Sequence, residues 1–183
     1  MKTKEDNRVS DRLYDSNLNL EDRKERTKKI IQAYNHLYIS EADKRNKILH
    51  QLFARAGANM NIEQPFFCFY GDNINIGKNF YANQGCIFSD EAEITIGDNV
   101  LLGANVEIYT INKVSEKRQI RPVTIGNDVW IGGNVKILPG VTIGENSIIV
   151  SGSVVAENIP ANVIAFGNPA KVIKEIVEID EAD

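Results

Sequence analysis

The sequence predicts an all-β main domain, a parallel β-helix of six-residue repeats, behind a small N-terminal helical region. Three observations carry that expectation. First, Ile125, Ile131, Ile137, Ile143, Ile149 and Val155 recur at every sixth position without a slip, each with an apolar or small residue two places earlier (Val123, Val129, Val135, Val141, Ser147, Ser153). Second, the register reappears upstream, in Ile96, Leu102 and Ile108 and again in Ile76, Ala82 and Phe88, preceded by Ile94, Val100 and Val106 and by Ile74, Phe80 and Cys86. Third, glycines follow the isoleucines at 125, 131 and 143, where bends are needed. A helix repeats at three and four residues, and a single long strand alternates throughout. A hexapeptide period fits short strands whose apolar faces are buried only by stacking coil on coil.

In chain order, residues 1–58 are expected to form the helical region, 59–177 the β-helix and 178–183 an acidic tail. Glu21 to His36 is dense in charge, with Ile30, Ile31 and Tyr34 at helical spacing. A second helix is expected to start at Ser40, whose hydroxyl would cap it with Asp43 three residues on. Its buried stripe would be Ile48, Leu49, Leu52 and Phe53, and Gly57 would end it. Such a pair has no core of its own and is expected to cover the open edge of the first coil. His36 and His50 fall in this region and read as surface or packing residues. Between Phe88 and Ile96 the phase slips by two, which predicts a bulged corner at Ser89 to Glu93. Thr110 to Pro122 leaves the repeat as a loop, and Asn158 to Pro160 breaks the last coil. The chain then turns at Gly167 and Pro169.

Composition narrows the function. A net charge of −4 argues against nucleic acid or an anionic membrane as partner. No apolar run is long enough to cross a bilayer, and the polar start MKTKEDNRVSDR is no secretory signal. Cys68 and Cys86, three hexads apart, are expected to stack one coil apart on the inner face. Adjacent strands lie about 4.8 Å apart, so geometry does not exclude a disulfide. Without an export signal, reduced thiols and a cytoplasmic location are expected. No metal site is expected.

Together, VWIGG at Val129 to Gly133, PGVTIG at Pro139 to Gly144 and the closing GNPAKVI resemble the hexapeptide-repeat acyltransferases, most closely the maltose and galactoside O-acetyltransferases. The resemblance runs from the N-terminal helices to about Ile176. It implies a left-handed coil, against the usual crossover rule. It also implies a homotrimer with acetyl-CoA between two subunits and a sugar or similar hydroxyl as acceptor. Such a transfer needs a base for the attacking hydroxyl, a donor for the oxyanion and partners for the CoA phosphates. By resemblance, Asn83 stands near the reacting centre and Asp90 on the acceptor side. Trp130 and Gly133 line the CoA groove, and Ser151 and Gly152 flank the pantetheine arm. Lys171 and Lys174 stand near the nucleotide end, and read equally as a solvated face. Asn83 reads equally as a coil-corner residue, and Asp90 as bulge polarity.

Three positions depart from the family. Its catalytic histidine follows IYT in a threonine-x-x-histidine-proline pattern, and here Lys113 occupies that place in a shortened loop. A free lysine has a pKa of about 10.4, so at neutral pH it accepts almost no protons; Lys113 reads as a solvated loop residue. The polar acceptor-side residue is here Phe69, which makes the acceptor end more apolar. The threonine-lysine pair that reaches toward CoA is here Ala156 and Glu157. Two functions stand open: an O-acetyltransferase of reduced or altered activity, and a non-catalytic trimer acting as CoA binder, scaffold or partner.

Overall fold

The protein is described here by a computed structural model covering residues 20–112 and 119–177. Helix α1 (Leu20–Asn35) buries Thr27, Ile31 and Tyr34, and helix α2 (Ala42–Leu52) buries Arg45, Leu49 and Leu52. Between them Ile39–Glu41 makes a single 3₁₀ turn. The expected Ser40 cap is replaced by Glu41. The Tyr38 N–H donates to Glu41 Oε2 (3.1 Å) and the Glu41 N–H to the Tyr38 carbonyl (3.0 Å). Ser40 is exposed and lies before, not at, the start of α2. Nor does Gly57 end the second helix. The helix stops at Leu52, and Phe53 turns extended (φ −83°, ψ 147°) into the strand Arg55–Ala56. Gly57 instead serves a corner: a Cβ there would lie 2.1 Å from the carbonyl oxygen of Gly77 in the next coil.

From Arg55 onward the chain winds through three parallel sheets. The first stacks 55–56, 74–76, 94–96, 123–125 and 142–143. The second stacks 61–62, 81–82, 101–102, 130–131, 148–149 and 163–167, and the third 67–68, 87–89, 107–109, 136–137 and 154–155. The hexad isoleucines, valines and phenylalanines all point inward and are buried. Removing each such side chain from water stabilises by roughly 1.5–3 kcal/mol, and stacking alone achieves it.

Register exposes one miscount. Asn75 pairs with Thr95 but Thr124 with Thr142, so a coil is twenty residues long in the first half and eighteen in the second. The two extra residues sit at the third-to-first corner, at Ser89–Glu93 as expected and one coil earlier at Phe69–Asn73. Cys68 therefore stacks on Phe88, not on Cys86. Both thiols are free and buried. Burial pushes Cys68 well up and Cys86 to about 11.

Corners between the first two sheets need left-handed backbone, which asparagine tolerates best among residues with a Cβ. Asn59, Asn79, Asn99 and Asp128 have φ of 54–58°. Each asparagine amide donates to the residue stacked on it: Asn59 to Asn79 (3.0 Å), Asn79 to Asn99 (2.8 Å), Asn99 to Asp128 (2.8 Å).

Other parts of the chain meet both ends of the stack. At the start, Tyr34 OH donates to the Ile62 carbonyl, and Arg45 Nη2 donates to the same oxygen (2.6 Å). Asn35 brackets Phe66 with two hydrogen bonds of 2.9 and 3.0 Å. At the far end Asn158 to Pro160 does not wholly break the coil, because Ile159 still bridges Ile143 in parallel. Val163–Gly167 then joins the second sheet and folds back as an antiparallel hairpin with Ala170–Glu175. The loop leaves the coil as an antiparallel pair, Ile111–Asn112 with Gln119–Ile120. No helix among the described residues is long and apolar enough to cross a membrane.

Candidate functional site

The corner between the second and third sheets makes a continuous edge of small residues. Asn83–Gly85, Gly103–Asn105, Gly132–Asn134 and Ser151–Gly152 lie one above another. They are joined by main-chain bonds: Asn83 N–H to Leu102 O (2.9 Å), Gly103 N–H to Ile131 O (2.7 Å), Gly132 N–H to Ile149 O (2.8 Å) and Gly152 N–H to Gly133 O (2.9 Å). Gly132 is required by contact, since a Cβ would stand 2.5 Å from Ser151 N. Gly152 faces open space, with nothing within 4 Å of a Cβ placed there, at φ +78°. Asn83, Gly133, Ser151 and Gly152 are thus brought onto one line.

At its lower end, Asn83 Oδ1 accepts the Gln84 N–H (2.7 Å), and the half-buried side chain keeps its amide Nδ2 as a donor. Behind it, Cys86 Sγ donates to the Asn83 carbonyl (3.1 Å) and, more weakly, toward Gly103 O (3.5 Å). With its pKa pushed up by burial, this group stays a thiol and serves the corner. Trp130 projects from the adjoining second sheet, 56% exposed, in a column with Tyr81, Leu101 and Ile148. That face is apolar outside as well as inside, whereas the first sheet presents Asn75, Thr95, Thr124 and Thr142 outward.

Asp90 and Phe69 meet at a different edge, the third-to-first corner. Asp90 is 0% exposed and accepts the N–H groups of Phe69 (2.8 Å), Tyr70 (3.0 Å) and Gly71 (2.7 Å). Burial raises its pKa, and the three N–H donors only partly offset that. The carboxyl fills the bulge and holds the Phe69–Gly71 turn. Outside it, helix α1 is fastened down. Arg23 pairs with Asp72 (2.5 Å), Thr27 Oγ1 donates to the Tyr70 carbonyl (2.8 Å), and Lys24 Nζ stands 4.7 Å from the Phe69 ring centre. Sequence inspection missed Lys24, because nothing in a charged helix marks which lysine will meet a ring from a later coil. Thr110 ties the loop root to this corner, donating to Ser89 O (2.7 Å) and accepting from the Ala92 N–H (2.8 Å). Lys113 lies outside the described residues.

Between the two edges, the third sheet carries Glu107, bound by Lys136 (2.7 Å) and by the Tyr109 hydroxyl. Partial burial pushes Glu107 up, but Lys136 and Tyr109 outweigh it and hold the carboxyl below its usual range. At the far end, Lys171 pairs with Glu157 (2.8 Å), and Lys174 stands opposite Ile164 on the hairpin. The pairing of Lys171 was not anticipated.

Comparison with known proteins points the same way. Residues 122–157 match the bacterial transferase hexapeptide (six repeats), residues 93–112 the hexapeptide repeat of succinyl-transferase, and residues 9–57 the maltose acetyltransferase hexapeptide capping motif. The galactoside O-acetyltransferase of Escherichia coli K12 is 41% identical over 170 residues, covering 88% of this chain and 83% of that protein. A maltose O-acetyltransferase structure from Clostridium difficile 630 superposes with a TM-score of 0.83 at 46% identity, covering 87% of this chain and 89% of that one. A galactoside acetyltransferase solved in complex with coenzyme A gives 0.85 at 43% identity, covering 87% and 83%.

Proposed function

Since the chain belongs to the maltose and galactoside O-acetyltransferase family of hexapeptide-repeat proteins, we propose that it is a cytoplasmic, homotrimeric O-acetyltransferase that moves an acetyl group from acetyl-CoA to a hydroxyl of a sugar or similar small molecule. The observation that carries this reading is the small-residue edge running from Asn83 to Ser151 and Gly152. A pantetheine arm laid along it would meet main chain and small side chains, with Trp130 as one wall and the thioester near Asn83. The acceptor hydroxyl attacks the acetyl carbonyl, its proton passes to a base or to water, and the CoA sulfur leaves. Asn83 Nδ2 would steady the oxyanion, a contribution worth about 10²–10³ in rate at comparable sites.

Phe69 and Asp90 lie on another edge of the same chain, so the acceptor end is assigned to a neighbouring subunit packed against the apolar column Tyr81–Leu101–Trp130–Ile148. Asp90 acts there by holding the Phe69 turn, since its own oxygens are taken. Activity is reduced, because Lys113 replaces the family's histidine and general-base catalysis contributes about 10²–10⁴-fold.

A second reading, a non-catalytic CoA binder or scaffold, draws on the Phe69 ring at the acceptor edge and on Glu157 holding Lys171. Release of CoA thiol from acetyl-CoA across a panel of sugars separates the two. The enzyme reading expects slow turnover that rises about a hundredfold or more in Lys113→His and falls in Asn83→Ala. Turnover absent in both wild type and Lys113→His, with CoA still bound in calorimetry, selects the scaffold.

A further inference from the structure

The second-to-third corner continues one coil below Asn83, as Glu63–Gln64–Pro65. Ile62 pairs with Ala82, the Glu63 N–H donates to Ala82 O (2.8 Å) and the Gly85 N–H to Pro65 O (2.8 Å), so Glu63 stands beneath Asn83. In that position the higher coils carry Asn83, Gly103, Gly132 and Val150, none of them ionisable. Glu63 is the one carboxylate on the line. Its side chain is 33% exposed; Asn61 Nδ2 donates to Oε1 (3.0 Å), and Arg45 Nη2 stands 3.5 Å from Oε2. Arg45 does not draw it further in. Its Nη2 is spent on the Ile62 carbonyl (2.6 Å), and its buried Nε has no partner among the described residues. The carboxylate is thus held at the mouth of the corner, with room on both oxygens for another donor.

We propose that Glu63 is the general base of the transfer, taking the acceptor proton in place of the histidine that Lys113 replaces. The inference rests on the acetyl-CoA reading above. A donor arm that comes down the edge with its thioester at Asn83 leaves the acceptor the next place on the same line, against Glu63. Phe69, assigned above to the acceptor end of a neighbouring subunit, also belongs to the first coil, and copies joined by their flanks around an axis along the stack hold equivalent coils at equal height. Coils lie about 4.8 Å apart, which places an acceptor oxygen roughly 2.6–3.2 Å from a carboxylate below and about 3–3.5 Å from an acetyl carbon above. As that oxygen forms the new C–O bond, its proton moves to a Glu63 oxygen and Asn83 Nδ2 steadies the oxyanion. The C–S bond then breaks, and the proton passes from Glu63 to the leaving CoA sulfur. A carboxylate is a weaker base than an imidazole, so activity stays reduced.

Release of CoA thiol by Glu63→Gln, made both in wild type and in Lys113→His, tests this, with CoA affinity followed by calorimetry. Glutamine keeps the shape but takes no proton. In the wild-type background turnover is expected to fall about tenfold or more, while CoA still binds. In Lys113→His the same substitution is expected to cost about a third of that factor or less, because two bases that serve one proton are not additive. A second readout is independent of the loop: in Glu63→Ala, added formate is expected to restore turnover about threefold or more by filling the vacated place. Equal fold-losses in the two backgrounds, loss of CoA binding in step with turnover, or no rescue by formate would make Glu63 a structural or acceptor-holding residue and overturn the inference. Undiminished turnover in Glu63→Gln does the same, as does turnover in Lys113→His with none in wild type; the acetyl-CoA reading survives each. If neither wild type nor Lys113→His turns over, that reading fails and takes this inference with it.

Discussion

Asn83 and Asp90 belong to one turn of the coil yet stand on different edges of it, with the strand Ile87–Ser89 running between them. Asn83 presents an amide at the second-to-third corner, and Asp90 shapes the third-to-first corner that carries Phe69 and the root of the loop. The proposed transfer, which uses both corners, would draw them from two chains.

In the proposed two-chain site, with the donor lying between subunits, assembly is a condition of donor binding. Leu101, 47% exposed, sits in the apolar column between Tyr81 and Trp130. Leu101→Arg places a charge in the proposed contact, where an unpaired buried charge costs several kcal/mol. Light scattering should give three chain masses for wild type and one for the variant, and the variant should lose CoA binding while keeping its far-ultraviolet circular dichroism. A wild-type protein that runs as a single chain removes the two-chain site.

The two glycines of the edge should fail in different ways. In Gly132→Ala the new methyl meets Ser151 N at 2.5 Å, so the coils must part, and a loss of about 1–3 kcal/mol in urea denaturation is expected. In Gly152→Ala the methyl meets nothing, but φ is +78°, so the cost is backbone strain of about 1–2 kcal/mol. Its larger effect should be on CoA, whose affinity drops because the methyl occupies the open side of the edge. Equal CoA affinity in Gly152→Ala and wild type would place the pantetheine arm elsewhere.

Cys86 predicts an alkaline limit to stability. Its folded pKa is pushed up to about 11 by burial, against 9.0 for the exposed thiol of an unfolded chain. Because the folded value is the higher one, the contribution is complete below pH 9, declines as pH rises through 11 and is then lost. Two pKa units correspond to about 3 kcal/mol. In Cys86→Ala, unfolding free energy measured from pH 8 to 11 should fall less steeply than in wild type by about that amount. Identical slopes would mean that the thiol titrates alike in both states.

Much of the fold was legible because one physical rule repeats: every sixth side chain must face inward, and Ile125 to Val155 obeys it without interruption. Errors arose where a corner changed the count. The pairing of Cys68 with Cys86 assumed eighteen residues per coil, and the Asp90-filled bulges make it twenty. The α2 cap was misplaced because Glu41, with a longer reach than Ser40, could close a 3₁₀ turn onto Tyr38. For the site, residue types could be read but not their partnerships. The Lys24–Phe69 and Lys171–Glu157 contacts join segments 45 and 14 positions apart, and such meetings are created only by coiling. The single edge shared by Asn83, Gly133 and Ser151 is likewise a product of register.

Finally, the helices meet the first coil and the hairpin extends the second sheet beyond the last, so much of each end of the stack is occupied by the chain itself. An uncapped solenoid can lengthen indefinitely by edge-to-edge recruitment, the route to fibres. With its ends partly covered in this way, the proposed self-association would use the flanks, and flank contacts repeated around an axis close into a ring of fixed number. A countable stoichiometry, in the proposed trimer, would thus depend on residues far from any chemistry.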